Sequence, residues 1–243
     1  MLEYIIVTVF GLLIGNFATT IFYRLPRNIT ICGINQNCDQ PPFCSYCRHL
    51  LKPHEYLPLL SWFSTFGKCN YCNSNIPTQY FILEISAVIL SNSCFYLFNG
   101  ITDLYILIFG FGVSCLLNIL IYREHKAIPQ IITISMLFWG AIYRTLTEQT
   151  IILWLSTISI AFIISLFLLN SKFNDTFRSK CIINILMLTS VWCSQEDLTL
   201  YMLIITMLCI LWSFWKQLDL YSLSILTLFC ITISDAILFL NQT

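Results

Sequence analysis

The sequence predicts an all-α polytopic membrane protein of about eight transmembrane helices, with a cytosolic zinc-knuckle loop after the first. Three observations carry this reading. Of 243 residues, 58% are hydrophobic and only 10% are charged, where a soluble domain carries about 25% charged residues. The apolar residues fall into runs close to the roughly 20 residues a helix needs to cross a bilayer. The basic residues gather on alternate connections between those runs. Mean hydropathy of +0.79 agrees. Formal net charge is zero, so bulk charge points to no nucleic-acid partner. The partner that composition demands is the lipid bilayer.

The runs fall at about 4–23, 80–98, 102–122, 128–146, 149–170, 181–193, 199–216 and 220–240. Helices are expected because lipid leaves no water to satisfy open sheet edges. The first run lacks a basic n-region and a small-residue cleavage site, so it reads as a retained span rather than a signal peptide. The sixth is short and would tilt, thin the bilayer or fail to cross. Seven spans is therefore the alternative count.

Cytoplasmic loops carry an excess of Lys and Arg. With eight alternating spans, Arg24, Arg27, Arg48, Lys52, Lys68, Arg123, Lys126, Lys172, Arg178, Lys180 and Lys216 share one side, and Arg144 alone takes the other. The asymmetry puts both termini outside and the long first loop, about 25–79, in the cytosol.

That loop contains Cys44-Ser45-Tyr46-Cys47 and Cys69-Asn70-Tyr71-Cys72, separated by 21 residues. A C-x2-C pair turns two thiolates toward one ion, and two pairs complete a closed tetrahedral zinc shell. The spacing is close to the usual interval of about 15–20 residues. Cytosolic thiols stay reduced, which favours metal over the alternatives, two local disulfides or free thiols. Cys44, Cys47, Cys69 and Cys72 are the expected ligands of a structural metal. His49 and His54 read as loop-surface residues, and Cys32 and Cys38 as spare thiols. Cys94, Cys115, Cys181, Cys193, Cys209 and Cys230 lie in apolar runs and read as small packing residues.

The loop and its flanks resemble the type IV prepilin peptidases. The resemblance runs through Gly15-Asn16-Phe17 to Tyr23-Arg24-Leu25-Pro26, the two cysteine pairs, and Leu57-Pro58-Leu59-Leu60-Ser61-Trp62. It continues in Gly67-Lys68-Cys69 and in Tyr80 with Glu84. These matches come in order and cover roughly the first 90 residues; beyond that the likeness is weak. The chain divides accordingly into 1–98, with the cysteine loop at 27–79, and a degenerate region, 99–243.

The resemblance implies a multi-pass protein of the bacterial inner membrane, serving a type IV pilus or type II secretion system. It implies prepilin or pseudopilin substrates, leader cleavage by two aspartates, and methylation of the new N-terminus with S-adenosylmethionine. No Gly-rich loop for that cofactor stands in the sequence, so it enters through the resemblance alone. Paired carboxylates would divide the roles of acid and base. Glu84 reads as a carboxylate favoured by the dipole at a helix N-terminus, or as one that meets a positive group of a leader.

Both aspartate positions are replaced. The first lies seven residues before the proline that opens a span. With Pro129 as that proline, the position holds Tyr122, a phenol unsuited to act as a carboxylate base at neutral pH. The second aligns with Arg178 when the motif lysine is Lys180. No catalytic residue is therefore assigned, and leader cleavage is expected to be impaired. The alternatives are relocated acids, with Glu124 and Asp175 as stand-ins, or a non-enzymatic assembly scaffold. On a helix, Asp175 lies nearer in angle to its lost position than Glu124 does. Asp235 sits within the last apolar run. Such an acid is expensive in lipid and is expected to face the bundle interior, with Thr232 and Ser234 as hydroxyl partners. Asn118 and Asn184 are weaker cases of the same kind.

Overall fold

The computed structural model describes residues 1–29, 43–147, 159, 176–193 and 219–242. Among them are seven α-helices: α1 Leu2–Arg24, α2 Leu60–Ser64, α3 Thr78–Leu97, α4 Asp103–His125, α5 Gln130–Thr147, α6 Thr176–Trp192 and α7 Leu220–Gln242. Apart from two isolated bridges, no extended pairing occurs among the described residues. Segments beginning α1, α3, α4 and α7 are long and apolar enough to cross a membrane, and α6 contributes a shorter apolar stretch, Lys180–Trp192. The expected spans at 149–170, residue 159 apart, and 199–216 lie outside the described residues, as do Cys32, Cys38, Cys209 and Asp175.

The chain forms two units, 1–96 and 97–243. In the first, α1 and α3 pack antiparallel. Tyr4 meets Phe95 at one end and Phe22 meets Tyr80 at the other, both edge-on. Gly11 and Gly15 make this approach close. A Cβ on Gly11 would stand 2.9 Å from Ser91 Cβ, and one on Gly15 would stand 2.9 Å from Glu84 Cα. The Gly-x3-Gly spacing thus presents a smooth stripe to α3, which is how helices associate in lipid, where hydrophobic burial gives no drive. Hydroxyls add to the seam: Ser91 Oγ donates to the Val7 carbonyl at 3.0 Å, and Thr8 Oγ1 donates to Asn92 Oδ1 at 3.1 Å. Gly15→Leu should force the pair apart, because the obstacle is α3 backbone. The expected cost is about 1–3 kcal/mol or more, read as a lower midpoint in detergent-resolved unfolding. Gly110→Leu, where nothing lies within 4 Å of an added Cβ, should change the midpoint little.

In the second unit, α4 packs on α5 and α7, and α6 packs on the same two helices. Apolar residues on most sides of α4 are buried, including Ile108, Phe111, Leu117 and Ile121. A helix that is hydrophobic all round belongs in an interior. The Thr102 hydroxyl caps α4 by accepting from the Tyr105 N–H at 3.1 Å. Lys126, in the left-handed region, ends it with an N–H to the Tyr122 carbonyl. Pro129 then precedes α5, as expected of a residue that lacks the N–H a helix interior needs.

Polar side chains cross this unit in two sets. Near the α4 C-terminus, the Tyr221 hydroxyl donates to Asn118 Oδ1 at 2.9 Å, and Asn184 Nδ2 donates to Thr133 Oγ1 at 2.7 Å. Toward the α5 C-terminus, Asp235 accepts from the Tyr143 hydroxyl at 3.1 Å and pairs with Arg144 at 3.5 Å. Arg144 also donates to the Trp192 carbonyl at 2.8 Å. The expectation of Thr232 and Ser234 as partners of Asp235 is corrected. Thr232 bonds instead to the Phe229 carbonyl, and Ser234 is exposed.

Candidate metal centre

The cysteine loop folds as two copies of one knuckle. In the first, the Cys44 N–H donates to the His49 carbonyl and the Arg48 N–H to the Cys44 carbonyl, each at 2.9 Å. In the second, the Cys69 N–H donates to Ser74 and the Asn73 N–H to Cys69, again at 2.9 Å. The bridges Phe43–Leu50 and Lys68–Asn75 close the two turns. Arg48 and Asn73, each following the second cysteine of its pair, have φ of 59° and 56°. This tight left-handed step brings two thiols of one pair to the same side.

The four sulfurs of Cys44, Cys47, Cys69 and Cys72 lie within 4.8 Å of one another. A tetrahedron with Zn–S bonds of about 2.3 Å has sulfurs about 3.8 Å apart. Cys44 and Cys72 already stand at 4.0 Å. No disulfide forms between them; all four are free thiols. The Tyr46 N–H points at Cys44 Sγ at 3.5 Å, and Ser74 Oγ lies 3.0 Å from Cys72 Sγ. The Ser74 hydroxyl and its backbone pull the Cys72 thiol down to about 6. Cys47 is pushed up to about 11: a backbone hydrogen bond at His49 favours its thiolate, but desolvation and the neighbouring Cys72 and Cys44 sulfurs outweigh it. One thiolate in the cluster therefore opposes the next, a repulsion that a bound dication would relieve. The donor set and geometry fit a metal ion held by four sulfurs, with no coordination position left for substrate.

Other loop residues brace the cluster. Glu55 accepts from the Lys52 N–H at 2.8 Å, from Asn70 at 3.3 Å and from the Tyr71 hydroxyl at 3.2 Å. It thereby ties the connecting segment to the second knuckle. The His49 ring lies on the Tyr71 ring, centroids 3.5 Å apart, so His49 links the knuckles by packing and is not a ligand in the cluster. Gly67, at φ 69°, closes the turn under Trp62, where a Cβ would strike the indole at 3.0 Å.

The helix-dipole reading of Glu84 is corrected. It lies beyond the first turn of α3, which contains no acid, and helix-terminus stabilisation fades within one turn. Its buried carboxylate instead accepts the Leu59 N–H at 2.7 Å, pinning the Leu57–Trp62 segment where Leu59 adopts φ 57°. Glu84, Arg24, Tyr23, Trp62, Tyr80 and Lys68 are among the residues lining a cleft of about 470 Å³ between α1, α3 and the loop.

Tyr122 lies in the last turn of α4 with its ring 4.4 Å from that of Tyr221, tilted by 39°. The Lys126 ammonium lies 5.2 Å from the ring centre. Asp219 stands two residues before Tyr221, the partner of that ring. Asp219, just before α7, accepts from the Ser222 hydroxyl at 2.8 Å; sequence reading passed it over because it sits between apolar runs. Glu124 is exposed. Arg178 lies in the first turn of α6.

Fold and site together define a helical membrane protein that carries a tetracysteine knuckle between its first two long helices. A family profile for the bacterial peptidase A24 N-terminal domain matches residues 9–98. The prepilin leader peptidase/N-methyltransferase of Vibrio cholerae serotype O1 is 28% identical over 152 residues, covering 58% of each chain. That of Pseudomonas aeruginosa is 26% identical over 153 residues, 54% of this chain and 51% of the relative. That of Bacillus subtilis is 28% identical over 164 residues, 66% of this chain and 54% of the relative. These matches support the type IV prepilin peptidase family, the one its motifs resemble. The chain spans about half the length of the curated relatives it matches. No solved structure matches.

Proposed function

We propose that this is a prepilin peptidase-like protein of the bacterial inner membrane, part of a type IV pilus or type II secretion system, with impaired leader cleavage. Its cysteine loop is cytosolic and holds one structural zinc through Cys44, Cys47, Cys69 and Cys72. Zinc neutralises the crowded thiolates and clamps the two knuckles; no cleavage step runs through it. Prepilin or pseudopilin docks without being cut. S-adenosylmethionine belongs to this reading by family resemblance alone.

The observation carrying the loss of cleavage is the surroundings of Tyr122. Where the family has a carboxylate, a phenol packs on Tyr221 beside Lys126. Neither group takes a proton from water at neutral pH as a paired carboxylate does. Asp219 supports the second reading, relocated acids, because it approaches the same end of α4. The third reading is a scaffold without substrate.

Membranes containing this protein as the sole candidate enzyme should leave a prepilin unprocessed, while the prepilin co-purifies with the chain. Processed pilin that disappears in Asp219→Asn or Asp175→Asn would establish relocated acids. Absence of both processing and co-purification would favour the scaffold.

A further inference from the structure

The cysteine loop leaves large apolar side chains in the open. Leu57, Leu60, Phe63 and Phe66 are 46%, 66%, 58% and 87% exposed. Leu60 and Phe63 are three residues apart on α2 and share a face. Leu57 and Phe66 bracket them through the bonds Ser61 N–H to Leu57 carbonyl and Phe66 N–H to Phe63 carbonyl. Phe66 also holds φ at 51°, a costly backbone for a bulky residue, and burial within the loop does not offset that cost.

The position of the patch indicates what covers it. Trp62 stacks on Phe81 with centroids 4.6 Å apart, and Phe63 meets Phe81 edge-on at 5.6 Å. Phe81 lies in the first turn of α3, a helix of membrane-spanning length. Further along α3, Ile82, Ile85 and Ile89 are exposed as well. The patch therefore continues the outer apolar face of a span at the level where that span begins. Its charges fit the same surface. Described residues 43–77 carry Arg48, Lys52 and Lys68, all exposed, against Glu55 alone, whose carboxylate already accepts three hydrogen bonds. Exposed apolar side chains on a segment with an excess of cations suit an anionic leaflet.

We propose that the segment Leu57–Phe66 is an interfacial anchor, with Leu57, Leu60, Phe63 and Phe66 seated at the headgroup–acyl boundary of an anionic leaflet. The occupant is lipid because the patch is continuous with the outer face of α3. The anchor holds the metal knuckles at a fixed height above the bilayer. The proposal rests on α3 being a membrane span.

The test places p-benzoylphenylalanine singly at positions 66, 46 and 89 of the full chain in nanodiscs of phosphatidylglycerol and phosphatidylethanolamine. Metal content of each variant serves as the check of folding. Irradiation should give lipid adducts at 89 and 66. Position 46, 81% exposed on the first knuckle, lies outside the proposed anchor and should give at least about tenfold less. If 89 labels lipid while 66 labels no more than 46, the anchor is overturned and the span stands. Labelling at 66 of a second polypeptide alone also overturns it, in favour of a protein partner. Failure at 89 overturns both.

Discussion

Cys69→Ser should empty the metal centre and unfold both knuckles while leaving the membrane helices formed. The expected effect is large because few of the loop's described residues are buried. Among described residues 43–77, only Cys44, Gly67 and Cys69 are buried, so two of the four sulfurs are also most of the interior. A segment without an apolar core depends on its staple. Structural zinc supplies an apparent ~10–16 kcal/mol in peptides of this kind at neutral pH. Wild-type protein should carry one zinc per chain by mass spectrometry, and the variant none. Hydrogen exchange should accelerate at the amides of Cys44, Arg48, Cys69 and Asn73, which close the knuckles, with far-UV circular dichroism nearly unchanged. His49→Ala should keep its zinc, since that ring packs on Tyr71. Full-length protein without stoichiometric metal, all four thiols reacting freely, would refute the assignment.

The cysteine pairs were legible because ligand chemistry is local: two residues between thiols are sufficient to write the turn. The duplication of the knuckle was not. Its shared left-handed step falls on Arg48 in one copy and Asn73 in the other, and arginine carries no mark of that conformation. The long apolar helices α1, α3, α4 and α7 were legible from hydropathy, yet α4 continues through Arg123-Glu124-His125, a polar turn that hydropathy discards. Gly11 and Gly15 carried a readable signal, small residues four apart in an apolar run, which composition-level reading passed over. Glu84 shows the sharper limit. Its partner is a backbone N–H 25 residues earlier, and no periodicity along α3 points to it.

Asp235→Leu alone should destabilise the second unit by about 3–5 kcal/mol, and Arg144→Met with Asp235→Leu should recover most of that loss. Arg144 is 2% exposed and Asp235 23%, so removing the acid leaves a buried guanidinium without the Asp235 carboxylate, whereas removing both charges leaves apolar side chains in their place. Some loss should persist in the double variant, because the Tyr143 hydroxyl loses its acceptor and the Trp192 carbonyl its donor. A double-mutant cycle by reversible unfolding in mixed micelles measures the coupling; equal losses in single and double variants would show that the charges are independent. The same pair bears on the proposed orientation. Arg144 is the one basic residue that breaks the eleven-to-one asymmetry, and the positive-inside tendency concerns charges in loops and at span ends. An arginine committed to Asp235, within a helix long and apolar enough to cross a membrane, is not such a charge. On the proposed orientation, the exception thus has a structural cause of its own.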